Sequence, residues 1–419
     1  MSRTLRLIEK VEGEVSLSYR VENGRLRAVS TSFFSSRGVE KILRNREAMD
    51  ALVINPRVCG ICGHAHLMAT VRALESAIGN PKLTAKAEAL RELTLSLEMI
   101  QNHFKWFFLT IAPLLGMKSP IQAAIEPSRT AASMIAVVAG QYPHNSYAIP
   151  GGVVCEPTIH EKTVLLYSLE KLIGYFTRYI VDADFRSIGE CEKIENILRM
   201  DGYLPQAMRL IMERGWERLG RSRDRFIVFG ENGIFRQGKS MATRYYPSLR
   251  PDYIEESFVP ESGANSVRYR GRHYETGPLA RAMVAKRPLI REAHRRYGDS
   301  LLSRIMARVC EIASLLHYCR ELIAGIDLSQ ESYIEPGEFP RSGVGWGVVE
   351  AARGSLIHRV EIEEGLIADY SIITPTQWNL VASDAEEGIL HGALEGESAD
   401  APIELIFKSF DVCSVCTTH

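Results

Sequence analysis

Arg57-Val58-Cys59-Gly60-Ile61-Cys62-Gly63-His64-Ala65-His66, near the start of the chain, and Asp411-Val412-Cys413-Ser414-Val415-Cys416-Thr417-Thr418-His419, at its end, decide how this sequence is read. Each stretch sets two cysteines three positions apart and follows them with a histidine, His66 or His419. A C-x-x-C turn aims two thiolates at one metal ion, and Gly60 is expected to let the chain fold back without a Cβ clash. Leu67, Val71, Leu74 and Ile78 continue at helical spacing. The first pair is therefore expected at a helix N-terminus, where the dipole favours thiolate. One such pair alone also reads as a zinc corner or a thioredoxin-like redox pair. Two pairs say more. A zinc ribbon closes a loop of about 15–20 residues, whereas these pairs lie at opposite ends of a 419-residue chain. Bringing them together wraps the fold round one buried metal centre. Four thiolates with histidines nearby suit a soft or borderline transition metal, and spacing alone does not name it.

Between the two pairs the apolar period is helical. Leu83, Ala87, Leu90, Leu97, Ile100, Phe104, Phe107 and Ile111 recur on one face, as do Leu302, Ile305, Val309, Ile312, Leu316, Cys319 and Ile323. A third helix is predicted over Thr163 to Phe176. Toward the ends the period shortens to two. Val15, Leu17, Tyr19 and Val21 precede Asn23-Gly24, a hairpin turn signal, and Leu356, His358, Val360 and Ile362 precede Gly365 and a returning strand from Ile367 to Ile373. Arg221 to Arg281, rich in Arg, Gly, Pro and Tyr, reads as irregular chain. The expected fold is α+β and predominantly helical, a long-helix bundle with small β-sheets near both termini. It forms a single body over 1–419: an N-terminal hairpin region at 1–55, a mainly helical core at 56–330, and a β-rich, metal-binding segment at 331–419.

Composition excludes several classes. With 50 Lys+Arg against 51 Asp+Glu the net charge is −1, so no global field recruits nucleic acid. A content of 46% hydrophobic and 24% charged residues excludes disorder. No uncharged apolar run reaches the roughly 18 residues of a membrane span. The N-terminus, Met1-Ser2-Arg3-Thr4-Leu5-Arg6-Leu7, carries no signal core, so the eight cysteines read as thiols or ligands in a cytoplasmic protein, with co-export on a partner's signal as the other route.

The two cysteine stretches resemble the signatures of the large, catalytic subunit of nickel–iron hydrogenases, R-x-C-G-x-C-x-x-x-H and D-P-C-x-x-C-x-x-H, with Val412 in place of the proline. Val11-Glu12-Gly13 is similar to the family's early R-I-E-G-H segment, and Arg37-Gly38-Val39-Glu40 to R-G-x-E. Glu275-Thr276-Gly277-Pro278-Leu279-Ala280-Arg281 resembles E-x-G-P-L-A-R, Glu350-Ala351-Ala352-Arg353-Gly354 resembles E-A-P-R-G, and Pro375-Thr376-Gln377-Trp378-Asn379 resembles P-T-T-W-N. The matches keep the family's order from residue 11 to residue 419.

The resemblance implies a set of roles. Cys59, Cys62, Cys413 and Cys416 hold nickel, and Cys62 and Cys416 also bridge to an iron carrying carbonyl and cyanide ligands. Glu40, His419 and the backbone carbonyl of Ile372 bind Mg2+. His66 hydrogen-bonds a bridging thiolate. Arg353, Pro375 and Thr376 line the iron side, with Arg353 and Thr376 donating to cyanide, and Asp411 sits beside Arg353 over the open site. Glu12 receives a proton from the Cys413 thiolate. The implied reaction is reversible heterolytic cleavage of H2. Such cleavage needs a Lewis-acidic metal pair and a nearby base, a role the thiolate fits better than the always-charged Arg353. Cys155, Cys191, Cys310 and Cys319 lie singly, and Cys310 and Cys319 fall on or near an apolar helix face as core residues. No cysteine set remains for an iron–sulfur centre. Electrons are therefore expected to leave through an iron–sulfur small subunit, contacting the Glu12–Glu40 segment and the first cysteine loop, and through further electron-transfer subunits. His64 and His144 are read as structural. The sequence departs from the family at Ala352, Val412 and Gln377, and at Ala112-Pro113-Leu114-Leu115, where many members carry an aspartate. The end at His419 is read as that of a processed chain. Two other readings stand beside this one: a metal-free relative such as the quinone-site subunit of respiratory complex I, and a zinc-stapled interaction protein.

Overall fold

Helices form where the apolar spacing requires them. A computed structural model describes residues 2–9, 13–34, 38–230, 249–383 and 388–413. Glu12, Arg37, Cys416 and His419 lie outside the described residues, so the readings placed on them are not addressed by the structure.

The N-terminal strands β1 (Ser2–Glu9), β2 (Gly13–Glu22) and β3 (Arg25–Phe33) make an antiparallel sheet in chain order. The expected Asn23-Gly24 turn joins the last two, with Asn23 and Gly24 both at positive φ. Four long helices follow: α1 (Gly63–Ala77), α2 (Ala85–Trp106), α3 (Gln122–Ala139) and α4 (Ile159–Tyr175). Thr84 caps α2 by accepting from Ala87 N, and Thr158 with Glu161 forms a capping box at α4. The third helix thus begins four residues earlier than its apolar period showed, because the cap sets its start.

The stretch expected to be irregular contains a hairpin, β4 (Ile254–Val259) paired with β5 (Ala264–Tyr269). Both faces of β4 are largely wet, which removes the alternation that marks a half-buried strand. Helix α5 (Leu301–Gly325), capped by Ser300, carries the second apolar period, and every residue of that period is fully buried. The C-terminal sheet has three strands rather than two. Strand β6 (Ser342–Ala351) precedes the expected hairpin of β7 (Gly354–Glu363) and β8 (Leu366–Ile373), in the order β8-β7-β6. A short helix, α6 (Pro375–Leu380), follows directly.

Two packing relations position the site. Helix α1 lies on β6 so closely that a Cβ at Gly347 would meet Ala69 O at 1.9 Å, which only glycine allows. The N-terminal sheet packs on the C-terminal segment: Val15, Leu17 and Leu26 share a buried cluster with Leu390, Leu394, Ile406, Phe407 and Val412. Each fully buried side chain of this size contributes roughly 1.5–3 kcal/mol. Hydrogen bonds from Leu26 N to Glu397 O and from Gly396 N to Leu26 O, both 2.9 Å, fix the register of the contact. No helix among the described residues is long and apolar enough to cross a membrane.

Candidate metal centre

Cys62 is the N-cap of α1, as the spacing anticipated, and Cys59 lies one turn earlier in the loop that feeds it. Cys59 Sγ accepts from Ile61 N at 3.4 Å and Cys62 N at 3.3 Å, contacts that favour a thiolate. Cys413 arrives from the other end of the chain and places its Sγ 3.7 Å from that of Cys59. The sulfurs of Cys59, Cys62 and Cys413 all lie within 4.8 Å of one another, and all three residues are buried. Three converging thiols exceed what one disulfide consumes, and a soft or borderline cation is the partner such a donor set fits.

Gly63, not Gly60, is the glycine this loop requires. A Cβ at Gly60 would meet nothing within 4 Å, whereas at Gly63 it would fall 2.2 Å from Pro56 O and 3.2 Å from Pro56 C. The close approach is between the first turn of α1 and the segment entering the loop. Opposite that turn, Glu98 of α2 accepts from His64 N and Ala65 N, both at 3.0 Å, so a carboxyl group occupies the helix's positive end. Burial pushes Glu98 up to about 8, against the pull of those two N–H groups.

The C-terminal sulfur is held by its surroundings. Cys413 N donates to Thr376 Oγ1 at 3.3 Å, in the first turn of α6. Gln377, which replaces the family's threonine, closes the capping box of that helix: its Oε1 accepts from Thr374 N at 2.6 Å. A small cavity of about 20 Å³ touches Cys62, His66, Arg353, Pro375, Thr376 and Cys413, large enough for a guest of roughly water size.

Arg353 sits in the two-residue turn between β6 and β7, not within a strand, and is only 5% exposed. Its Nε lies 3.3 Å from Asp411 Oδ2, the neighbour relation expected of these two residues. Asp411 itself adopts φ +58°, which aspartate tolerates better than most residues. A second guanidinium, Arg308 of α5, also grips Asp411 Oδ2 and lies over the Trp106 ring at 4.7 Å. Arg281, the last residue of the Glu275–Arg281 motif, donates to Ala351 O at 2.9 Å and Ala352 O at 3.2 Å while pairing with Glu311 and Glu350. It thereby clamps the turn that carries Arg353. Glu275 of the same motif pairs with Arg304 at 2.8 Å. Arg308 and Glu98 were not singled out in the sequence, and Arg281 only as the end of a motif, with no role given to it. Their one signal is charge on the buried faces of otherwise apolar helices.

His66 is buried, and its Nδ1 lies 3.0 Å from His358 Nε2. His64 Nε2 meets Thr94 Oγ1 at 2.8 Å, and His144 Nδ1 meets Pro56 O at 3.0 Å, so both pin the fold rather than face the sulfurs. Burial lowers His64 to about 3. Glu40 is half-buried and accepts from Ile372 N at 2.7 Å, which brings together the two described members of the expected Mg2+ set. Burial pushes Glu40 up to about 7. Cys319 is fully buried as expected, whereas Cys310 is partly exposed and lines a cavity with Cys191.

A family model described as nickel-dependent hydrogenase matches residues 37–113 and 261–419, more than half of the chain and both cysteine stretches. The chain is 25% identical to sulfhydrogenase 1 subunit alpha of Pyrococcus furiosus, over 99% of its own length and 97% of the relative's. It is 25% identical to the periplasmic [NiFeSe] hydrogenase large subunit of Desulfomicrobium baculatum, over 98% and 93%. Among solved structures, the Ni-Fe-Se hydrogenase of D. vulgaris Hildenborough in its reduced state superposes over 100% of both chains with a TM-score of 0.84 at 22% identity, a likeness of fold. With sulfurs from both ends of the polypeptide gathered where that family model's two matched segments meet, this chain belongs to the nickel-dependent hydrogenase family.

Proposed function

We propose that this chain is the catalytic large subunit of a nickel–iron hydrogenase that cleaves H2 reversibly and heterolytically, passing the electrons to an iron–sulfur partner. The observation that carries the reading is the convergence of Cys59, Cys62 and Cys413 within 4.8 Å, buried, at a helix N-terminus. Together with Cys416 these cysteines would hold nickel, and Cys62 and Cys416 would bridge to iron carrying carbonyl and cyanide. When bound, such a centre supplies Lewis acidity toward H2 and takes up its electrons.

The chain's own groups do the rest. A guanidinium does not give up its proton in proteins, so Cys413 Sγ is a better proton acceptor than Arg353, whose Nε faces Asp411 Oδ2 at 3.3 Å. Glu12 would take the proton onward from Cys413. Arg353, Thr376 and Pro375 line the cavity beside Cys62 and Cys413, and the guanidinium and the hydroxyl would donate to the cyanides of the iron. Low exposure of Arg353, Asp411 and Cys413 keeps bulk water from these groups. Glu40, the Ile372 carbonyl and His419 would hold Mg2+ and tie down the C-terminus.

Among the described residues, Cys59, Cys62 and Cys413 are the cysteines that converge, and the nickel centre would take all three, so the electrons would leave through a second protein that carries the iron–sulfur centres. The exposed Ile42, Met49 and Val53 beside the first cysteine loop suit its contact. Elemental analysis with infrared spectroscopy tests the reading. Nickel and iron near one each per chain, with carbonyl and cyanide bands, are expected. Zinc alone, or no metal in an anaerobically matured complex, would refute it.

A further inference from the structure

His66 reaches the sulfur cavity on one side and a buried polar file on the other. His66 Nδ1 lies 3.0 Å from His358 Nε2, His358 Nδ1 lies 2.8 Å from Tyr370 Oη, and Tyr370 Oη accepts from Asn55 Nδ2 at 2.8 Å. Asn55 Nδ2 also donates to Thr70 Oγ1 at 2.8 Å, and Thr70 Oγ1 donates to His66 O at 2.8 Å. Asn55, Thr70, Tyr370, His358 and His66 are all at most 2% exposed, so water does not compete for these bonds.

The direction of each bond follows from the last. The Thr70 hydrogen is used on the helix carbonyl, and Asn55 can only donate through its nitrogen. Tyr370 therefore receives from Asn55 and gives its own hydrogen to His358 Nδ1 at 2.8 Å, a shorter contact than those of Thr70 Oγ1 with Tyr370 Oη at 3.3 Å and with His358 Nδ1 at 3.2 Å. His358 must then carry its hydrogen on Nε2 and donate to His66 Nδ1, which leaves the His66 hydrogen on Nε2. The Asn55 orientation is also decided. As placed, its Oδ1 alone has no partner, whereas the flipped amide would leave two buried donors unpaired.

We propose that Asn55, Tyr370 and His358 are positioning residues whose one-way hydrogen-bond chain fixes His66 as the Nε2–H tautomer, presenting that N–H to the sulfur cavity. The inference rests on the hydrogenase reading for its consequence at the metals, and on protein geometry alone for the tautomer. A hydrogen bond to a ligating sulfur withdraws charge from it and tunes the metal it binds.

Asn55→Asp is the decisive perturbation, because it keeps the shape and reverses the polarity. A carboxylate accepts from Tyr370, Tyr370 then accepts from His358 Nδ1–H, and His358 Nε2 accepts from His66 Nδ1–H. Nitrogen-15 NMR of histidine-labelled, metal-free full chain should show the His66 hydrogen on Nε2 in the native protein and on Nδ1 in Asn55→Asp. Tyr370→Phe, which removes the donating hydroxyl and leaves His358 Nδ1 beside Thr70 Oγ1 at 3.2 Å, an acceptor because its hydrogen is used on His66 O, should likewise move the His66 hydrogen to Nδ1. In the matured complex, the carbonyl and cyanide bands should move in the same direction in Asn55→Asp and Tyr370→Phe at equal nickel and iron content. A native His66 hydrogen on Nδ1, or an Asn55→Asp tautomer unchanged in a folded chain, overturns the proposal. Should Asn55→Asp not fold, His358→Gln, which retains a donor toward His66, must keep Nε2–H, and its loss there overturns the proposal as well. Absence of nickel and iron defeats the hydrogenase reading but leaves the tautomer result to stand or fall by itself.

Discussion

Replacing Gly63 and Gly60 with alanine, one at a time, separates a steric requirement from a motif resemblance. At Gly63 the new Cβ would lie 2.2 Å from Pro56 O and 3.2 Å from Pro56 C, both main-chain atoms that no side-chain rotation can move. Comfortable separations for such atoms are about 3.5 Å, so the loop or the first turn of α1 must retreat by roughly 1 Å. Forcing extra volume into a packed site costs about 1–3 kcal/mol, and two main-chain walls put Gly63→Ala at the upper end. The helix-propensity gain of alanine, about 1 kcal/mol at an interior position, offsets part of this. At Gly60 the added Cβ meets nothing within 4 Å and the backbone lies outside the left-handed region. Gly60→Ala should therefore be neutral or stabilise by about 0.4–1 kcal/mol through the unfolded chain. Denaturant midpoints at constant m-value read the stability difference, about 2 kcal/mol in favour of Gly60→Ala. Because the retreat moves Cys62, nickel retention should fall in Gly63→Ala and hold in Gly60→Ala. Equal stability and equal nickel in the two variants would refute the close-approach argument.

Three further outcomes are expected. Arg308→Leu strips Asp411 of one of its two guanidiniums in a buried setting and should destabilise the fold by about 3 kcal/mol, read by denaturant unfolding. No loss of stability there would mean that Arg353 alone satisfies the carboxylate. Burial lowers His103 to about 4, against the pull of Glu311 and with Arg308 and Arg281 adding to the effect. Its depressed folded pKa means that stability is full above the unfolded value of 6.5 and is lost as pH falls through about 4. The loss has a ceiling of about 3 kcal/mol. His103→Gln should flatten the stability slope in that window, and an unchanged slope would assign it to other groups. Glu12→Gln should leave nickel and iron content intact while suppressing H2 turnover, and normal turnover in that variant would remove Glu12 from the proton route.

What the sequence made legible is what depends on neighbours along the chain. Helical periods are local, so α2 and α5 could be read from Leu90, Ile100 and Phe104 and from Ile305, Val309 and Leu316. The cap position of Cys62 followed from the period that begins at Leu67. Strand β6 escaped because Gly343, Gly345 and Gly347 interrupt its apolar alternation, and those positions answer to α1 lying on top of them. Arg308 escaped for a related reason. Its partner Asp411 is 103 positions away, and a charge inside an apolar helix reads as a wet edge until the fold supplies its counter-ion. His358 was visible as one face of a strand, but its meeting with His66 spans 292 positions and exists only because α1 crosses the sheet. The requirement placed on Gly60 instead of Gly63 is the same kind of miss: a close approach between two backbones has no signature in residue type beyond the glycine itself.

The order of construction matters for how such a centre is made. Zinc fingers fold because the metal gathers their ligands, and their binding energy is folding energy. Here the gathering of at least three sulfurs is done by other means. The cluster of Val15, Leu17 and Leu26 with Ile406 and Phe407 docks the C-terminal segment on the N-terminal sheet. Trp106 Nε1 holds Lys408 O at 2.9 Å, Arg308 and Arg353 hold Asp411, and Thr376 Oγ1 receives Cys413 N. On the other side, Glu98 and the first turn of α1 fix Cys59 and Cys62. Every one of these contacts is made by protein atoms that bind no metal. Protein contacts on both segments thus bring these sulfurs close, and a metal adds charge balance for thiolates held together. Such a site resists relaxing around the wrong ion, since widening it means breaking buried ion pairs on the Asp411 side or the Gly63–Pro56 contact on the other. Preorganisation of this kind is what lets a protein dictate geometry to a metal pair rather than adopt the geometry the metals prefer.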